Sequence, residues 1–355
     1  MRIGYSFWGF LSPGITDTPD GGRSHRRTLV DGLIAAGHDI VFLQPNRDLN
    51  EAGHDLRHRY AWDAGLPDID VLFLEWRWAI PSRNTTGCGS PGHTCDLHRQ
   101  NELVTRYTLE HRLPTILWDK DLQLPGDSPL RQMSGVVVCE AALAPSPGAV
   151  GLLFPVADDE LDRADPVRLA AMSRPLPLVY IGNQYDRDEA FSAFFAPAAA
   201  RFEHRVAGKW TRTAEWPHVT FTGRCPFPHV RELYESALAT VLLLPDRYAR
   251  AGQMTQRLFE AVLAGCLPIT PGTIPFAAVF APPALHASTG QQAADRVAGM
   301  LDIAGTARHA ELIAACLDRL GVFRLSCQLG TLEQILGRLT NALSECPRPG
   351  ATTRR

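Results

Sequence analysis

The chain has 355 residues, with 35 Lys and Arg against 38 Asp and Glu, a formal charge of −3 and 45% apolar residues. That near balance argues against nucleic acid as a bulk partner, and the composition describes a globular protein long enough for two domains of ordinary size. No basic segment leads into a long apolar run in MRIGYSFWGFLSPG and no stretch approaches a membrane span, so a cytoplasmic protein is expected, its eight cysteines held as reduced thiols and its Asn84-Thr85-Thr86 sequon unused.

RIGYSF reads as a first strand, followed by a Gly/Pro/Asp-rich loop ending in Gly21 and Gly22. SHRRTLVDGLIAAG has helical spacing, with Ser24 expected as N-cap and Gly37 as the stop. HDIVFLQP, DIDVLFLEW, PTILWDKD and SGVVVCEA give four more strands, short apolar runs that suit a parallel sheet covered on both faces. The pattern weakens across 157–178, the expected linker, then restarts. LVYIG is a strand, NQYDRDE a polar turn, AFSAFFAPAAARF a helix, HVTFTG a strand, PHVRELYESA a helix, TVLLLP a strand, QRLFEAVLA a helix and CLPIT a strand. Residues 290–345 read as mainly helical and PRPGATTRR as a loose tail. The expected organisation is therefore two Rossmann-like doubly wound α/β domains, 1–160 and 175–330, with 331–355 as a C-terminal helix and tail returning to the first domain. In such folds ligands gather at strand C-terminal ends and between domains.

GQMTQRLFEAVLAGCLPIT, 252–270, sets Arg257 and Glu260 in an otherwise oily helix. A carboxylate there needs a partner, because leaving it buried and unpaired costs several kcal/mol. With Thr255 as N-cap, both charges fall in the opening turns, where phosphate is attracted and an Arg adds a forked donor set. The competing reading is an intrahelical pair on a solvated face.

IGNQYDRDE, the FTG of HVTFTGRCPF, and QRLFEAVLAGCLPIT occur in the order found in the C-terminal domain of GT-B glycosyltransferases, and the chain resembles that family. The resemblance is nearest to the bacterial CgeB-like group and more distant to the phage DNA β-glucosyltransferases. It implies two facing Rossmann-like domains, with a nucleotide sugar, a UDP-sugar by expectation, held by the C-terminal one. Glu260 would then hold the donor ribose, Arg257 would approach the diphosphate, and Gly182, Asn183 and Arg187 would face the phosphates. Tyr185 and Asp186 read equally as turn residues. Many retaining members carry a second Glu eight residues before the ribose-binding one; Gly252 stands there, which leaves the anomeric outcome open. Gly21 and Gly22 resemble the acceptor-side glycine loop, against the plain reading of a turn, and His25 beside them is a second-rank base.

Asp119 and Asp121 follow a buried strand in ILWDKDLQLP. They could form the Asp-x-Asp metal pair of the GT-A fold, but the nucleotide signature comes about 140 residues later in a separate half. Phage DNA β-glucosyltransferases carry their catalytic base in a similar Asp-(apolar)-x-Leu-Pro segment, which Asp121 matches; otherwise Asp121 caps a turn. An inverting transfer needs such a group to take the acceptor's proton. CGSPGHTCDLH offers Cys88, His93, Cys95 and His98, zinc-compatible types at a spacing that matches no standard finger, so a Gly/Pro-rich loop near the acceptor is the first reading and zinc the second. Trp76 and Trp78 are either core or a stacking surface. The expected activity is sugar transfer from a nucleotide sugar to a hydroxyl of a small molecule or glycan, with no tightly bound cofactor and Mg or Mn stimulatory at most. A DNA glucosyltransferase acting on hydroxymethylated bases and a non-catalytic nucleotide-sugar binder are the alternatives. Residues 1–112 hold 12 basic against 14 acidic residues, so only local clusters at 25–27 and 57–59 could form a DNA-binding stripe.

Overall fold

The computed structural model describes residues 1–344 apart from 17, 19, 20, 82, 83, 92 and 94; the expected loose tail lies outside the described residues. Strands β1 (Arg2–Ser6), β2 (Asp39–Phe42), β3 (Ala61–Trp62), β4 (Val71–Glu75), β5 (Thr115–Asp119), β6 (Val136–Glu140) and β7 (Val150–Gly151) form one sheet in the order 3-2-1-4-5-6-7. Strands β8 (Leu176–Ile181), β9 (His204–Ala207), β10 (Phe221–Gly223), β11 (Ala237–Val241), β12 (Leu267–Pro271) and β13 (His286–Ala287) form a second in the order 10-9-8-11-12-13. Every pairing within the two sheets is parallel. Each sheet thus grows outward in both directions from its first strand, with a reversal between β1 and β4 and again between β8 and β11. At such reversals the following loops diverge and leave a crevice.

The strand sequences explain this arrangement. VLFLE, TILWD and ALATV are buried at every position, as central strands covered on both faces must be. Helix Arg23–Ala35 buries Leu29, Val30 and Leu33 on one stripe, and Gly37 at φ +90° follows its end. The last helix, Leu325–Ser344, returns to that first helix. Leu325 and Leu329 pack so close that a Cβ on Gly32 would lie 3.0 and 3.1 Å from them, and His38 Nε2 meets Glu333 at 2.8 Å.

Several local expectations are corrected. Gly22, not Ser24, is the N-cap of the first helix, and neither it nor Gln256, the N-cap of Arg257–Leu263, makes a side-chain cap. Ser24 and Thr255 are therefore not capping residues. The 157–178 segment is structured: it forms helices Asp158–Asp162 and Pro166–Ala171, and Asp165 Oδ1 caps the second through Val167 N at 2.9 Å. Strands β3, β7, β9 and β13 had no counterpart in the sequence reading. Among the described residues all seven cysteines are free, and no helix is long and apolar enough to cross a membrane.

Candidate functional site

The candidate residues fall on the C-terminal side of the strands. Gly21, Gly22 and His25 follow β1; Asp121 follows β5; Gly182, Asn183 and Arg187 follow β8; Arg257 and Glu260 lie between β11 and β12. The question of the paired charges resolves in three dimensions. Arg257 Nη1 donates to Glu260 Oε2 at 2.5 Å, while Ser24 Oγ, from the other half of the molecule, donates to Glu260 Oε1. With side chains only 28% and 14% exposed, the pair is no solvated decoration. Burial alone would lower the Arg257 pKa, but the Glu260 carboxylate outweighs it and holds the guanidinium firmly charged.

The glycine pair makes this approach possible. Gln256 Nε2 donates to Gly21 O at 3.0 Å, and a Cβ on Gly21 would lie 2.1 Å from that same nitrogen. A Cβ on Gly22 would strike the Arg26 guanidinium at 2.2 Å. These glycines allow two helix entrances to touch; Gly22 itself has an ordinary φ of −66°.

Below them lies a buried charge cluster that the sequence reading missed. Glu75, at the end of β4, receives Arg26 Nε at 2.8 Å, Arg26 Nη2 at 2.6 Å, Lys120 Nζ at 2.6 Å and the Tyr5 hydroxyl at 2.7 Å. Burial would push its carboxyl up, yet Arg26 and Lys120 together pull it far below the usual carboxylate range. A lone acid closing the apolar run VLFLE was the available signal, since such an acid demands cations. His25, 2% exposed, stacks on Phe154 with centroids 4.2 Å apart, and neither ring nitrogen has a partner. Burial, reinforced by Lys120, drives its pKa well below 6.5, so the ring is neutral at ordinary pH.

The two aspartates have separate fates. Asp119 is buried and its carboxylate accepts from Gln123 N at 3.0 Å and Leu124 N at 2.7 Å, so it is the residue that caps the turn. It is not half of an exposed metal pair, and its burial raises its pKa. Asp121 is half-exposed and accepts from the Tyr248 hydroxyl across the molecule, while Arg247 Nε donates to its backbone oxygen at 3.2 Å. Tyr248 and Arg247 had no sequence signal.

On the donor side, Gly182 O accepts from Trp210 Nε1 at 2.8 Å, and Asn183 Oδ1 from Lys209 N at 2.8 Å. Arg187 donates to the carbonyls of Leu243, Asn183 and Tyr185 at 3.1, 3.3 and 2.7 Å, bracing the turn. Tyr185 faces the Arg247 guanidinium, and Asp186 pairs with it at 2.8 Å, so both are more than idle turn residues. Gly252 has a φ of +64° and Phe276 packed against its Cα, a position closed to glutamate.

A cavity of about 390 Å³ opens beside β1, β2 and β4, lined among others by Phe7, Gln44, Arg47, Trp62, Arg77 and Asp96. Gln44 Nε2 and Asp96 Oδ2 are buried there without a partner, one donor and one acceptor. Half-buried Trp78 meets Trp8 edge-on with ring centroids 6.0 Å apart, while half-buried Trp76 packs on the apolar core of the first sheet. The basic clusters are largely ion-paired within the protein. Arg26 is consumed by Glu75, Arg57 pairs with Asp55 and Arg59 with Asp31.

No protein-family model and no curated protein matches the sequence. The fold does match solved structures. Phage T4 β-glucosyltransferase in complex with UDP and Mn2+ aligns at TM-score 0.63 and 13% identity, over 96% of this chain and 99% of that one. An α-glucosyltransferase in complex with UDP and a 13-mer DNA gives 0.60 and 11%, over 95% and 100%. AviGT4, a glycosyltransferase of avilamycin A biosynthesis, gives 0.54 and 15%, over 96% and 98%. The chain therefore has the GT-B glycosyltransferase architecture, two Rossmann-like parallel sheets meeting across one cleft.

Proposed function

We propose that this protein is a glycosyltransferase that moves a sugar from a UDP-sugar to a hydroxyl of a small molecule or glycan. The observation that carries the reading is the Arg257–Glu260 pair, turned toward Ser24 of the opposite half rather than toward solvent. Ser24 offers the carboxylate a hydroxyl, the same chemistry a ribose would offer, so donor binding would exchange one hydroxyl donor for another. Arg257 would take the diphosphate, with Gly182 and Asn183 lining its approach and Arg187 holding that turn in shape. The developing charge on the leaving diphosphate is stabilised most by donors already in place. The CgeB-like group stays our nearest family resemblance.

Asp121 is the base we assign, in preference to the neutral, sealed His25. It is half-exposed beside the interlobe contact, and its hydrogen bond from Tyr248 would have to open for it to accept the acceptor's proton. The 390 Å³ cavity, with aromatic walls and the unpaired Gln44 and Asp96 atoms, suits a hydroxyl-rich acceptor. The one charged side chain assigned to the diphosphate, Arg257, is a cation, which repels a divalent ion. Mg or Mn would thus arrive with the nucleotide and act on product release.

A DNA glucosyltransferase is the specific alternative, supported by the phage and DNA-bound fold neighbours and opposed by the internally paired basic clusters. Salt-sensitive retention on hydroxymethylated DNA would favour it. UDP binding without transfer or hydrolysis of any donor would favour a non-catalytic binder. The direct test is Glu260→Ala: donor KM should rise at least tenfold, the loss of one charge-assisted hydrogen-bond set, in a protein that circular dichroism shows still folded at the assay temperature. An unaltered donor affinity would refute the assignment.

A further inference from the structure

The loop before helix Asp96–Leu103 brings together Cys88, His93 and Cys95, with His98 on the helix beside them, and the proposed transfer gives none of the four a chemical role. Cys88 Sγ, His93 Nε2 and Cys95 Sγ all lie within 4.8 Å of one another, and His98 Nδ1 is 3.5 Å from Cys88 Sγ. Three of the four ligands of a tetrahedral zinc are thus gathered, and the exposed His98, swung in from its place beside Cys88, would complete a set of two sulfurs and two imidazole nitrogens. With Zn–S near about 2.3 Å and Zn–N near about 2.0–2.1 Å, the sulfur-to-nitrogen edge of such a tetrahedron is about 3.5 Å. The Cys88–His98 separation already has that length. The His93–Cys95 contact, at 2.7 Å, is a hydrogen bond that a metal would replace and widen.

The tautomer of His93 is set for ligation. Its Nδ1 lies 2.8 Å from Thr86 O, and a carbonyl can only accept, so Nδ1 carries the proton and Nε2 presents its lone pair to the sulfurs. Holding the distal nitrogen of a metal-binding histidine on a backbone carbonyl is the usual outer-shell support. Cys95 adds a second sign. It stands at φ +59°, a conformation that suits glycine, so its place is explained by its sulfur rather than its backbone.

We propose that Cys88, His93, Cys95 and His98 bind one structural zinc ion. Zn2+ would displace the two thiol protons to solvent, leaving two thiolates and two neutral imidazoles around it, a neutral site in an exposed loop. His93 and Cys95 also line the 390 Å³ cavity, so the metal would fix one wall of that cavity to the helix behind it.

The test uses the full-length untagged protein. Elemental analysis should find about one zinc per chain after dialysis, and replacement by Co2+ should give the visible ligand-field bands and thiolate charge-transfer band of a tetrahedral cobalt site. Cys88→Ser/Cys95→Ser should lose at least about nine-tenths of the metal and the cobalt thiolate band. His98→Ala, which keeps both sulfurs, should bind more weakly and shift the ligand-field bands. Wild-type protein that holds no stoichiometric zinc and gives only octahedral cobalt spectra would overturn the proposal, as would a native Cys88–Cys95 disulfide. None of these readouts depends on glycosyl transfer.

Discussion

Glu75→Gln tests whether the buried charge cluster holds the first half of the protein together. The substitution keeps volume and an acceptor oxygen for Tyr5 but removes the negative charge that Arg26 and Lys120 share, their side chains being 0% and 7% exposed. Deleting one partner of a buried pair costs about 3–5 kcal/mol, because the survivor stays charged and dry. Here two buried cations lose the carboxylate they share. The glutamine still offers an acceptor oxygen, so the low end, about 3 kcal/mol, is expected, a large share of an ordinary stability of about 5–15 kcal/mol. Urea unfolding should be followed by tryptophan fluorescence, which includes buried Trp118 in the first sheet, and by circular dichroism, which reports on both halves. Adding Lys120→Met should recover at least about 1 kcal/mol, the mark of direct coupling. The pH dependence has a definite sign. A carboxyl depressed in the folded state contributes fully above its unfolded pKa of about 4.3, and that contribution fades as pH falls further. Wild type should therefore lose stability below that pH more steeply than Glu75→Gln. A loss under about 1 kcal/mol with parallel acid limbs would refute the reasoning.

Three further outcomes are expected. His25→Phe should be neutral or stabilising, since it removes two buried nitrogens without partners. It should also abolish the stability that wild type loses as pH falls below about 6.5, where the unfolded imidazole takes up a proton that the folded one refuses; a hundredfold fall in kcat would instead reinstate His25 as the base. Asp121→Asn should lower kcat by about 10²–10⁴ with donor KM little changed, measured by UDP release; near-wild-type turnover would remove Asp121 from the chemistry. Gly208→Ala should weaken donor binding and destabilise by about 2 kcal/mol or more, because its backbone sits at φ +150° and a Cβ would lie 2.0 Å from Gly182 O. Thermal shift with and without UDP reads both effects.

Much of the scaffold was legible in the chain. The long apolar runs of β4, β5, β8 and β11 are central strands because burial on both faces demands continuous apolarity, a local property. The oily helix with its embedded Arg257 and Glu260 likewise announced a partner, since a buried carboxylate must find one. Four short strands were not legible: β9 is four residues with Arg205 exposed, and β3, β7 and β13 have two residues each, too short for periodicity. Asp165-Pro166 did carry a helix-start signal inside the segment read as linker.

What only the tertiary structure decided is which groups meet. Ser24 reaches Glu260 across 236 residues of chain, and Tyr248 reaches Asp121 across 127. No local pattern encodes such encounters, because they arise from two sheets closing on each other. Asp119 and Asp121 share a residue type, and positions two apart on one strand would share a face, yet the strand ends at Asp119: Asp119 caps the turn from the core while Asp121 lies on the turn itself, at the cleft. The same holds for Cys88, His93, Cys95 and His98: their chemistry was readable from the letters, while their convergence came from the fold of the loop around the start of one helix.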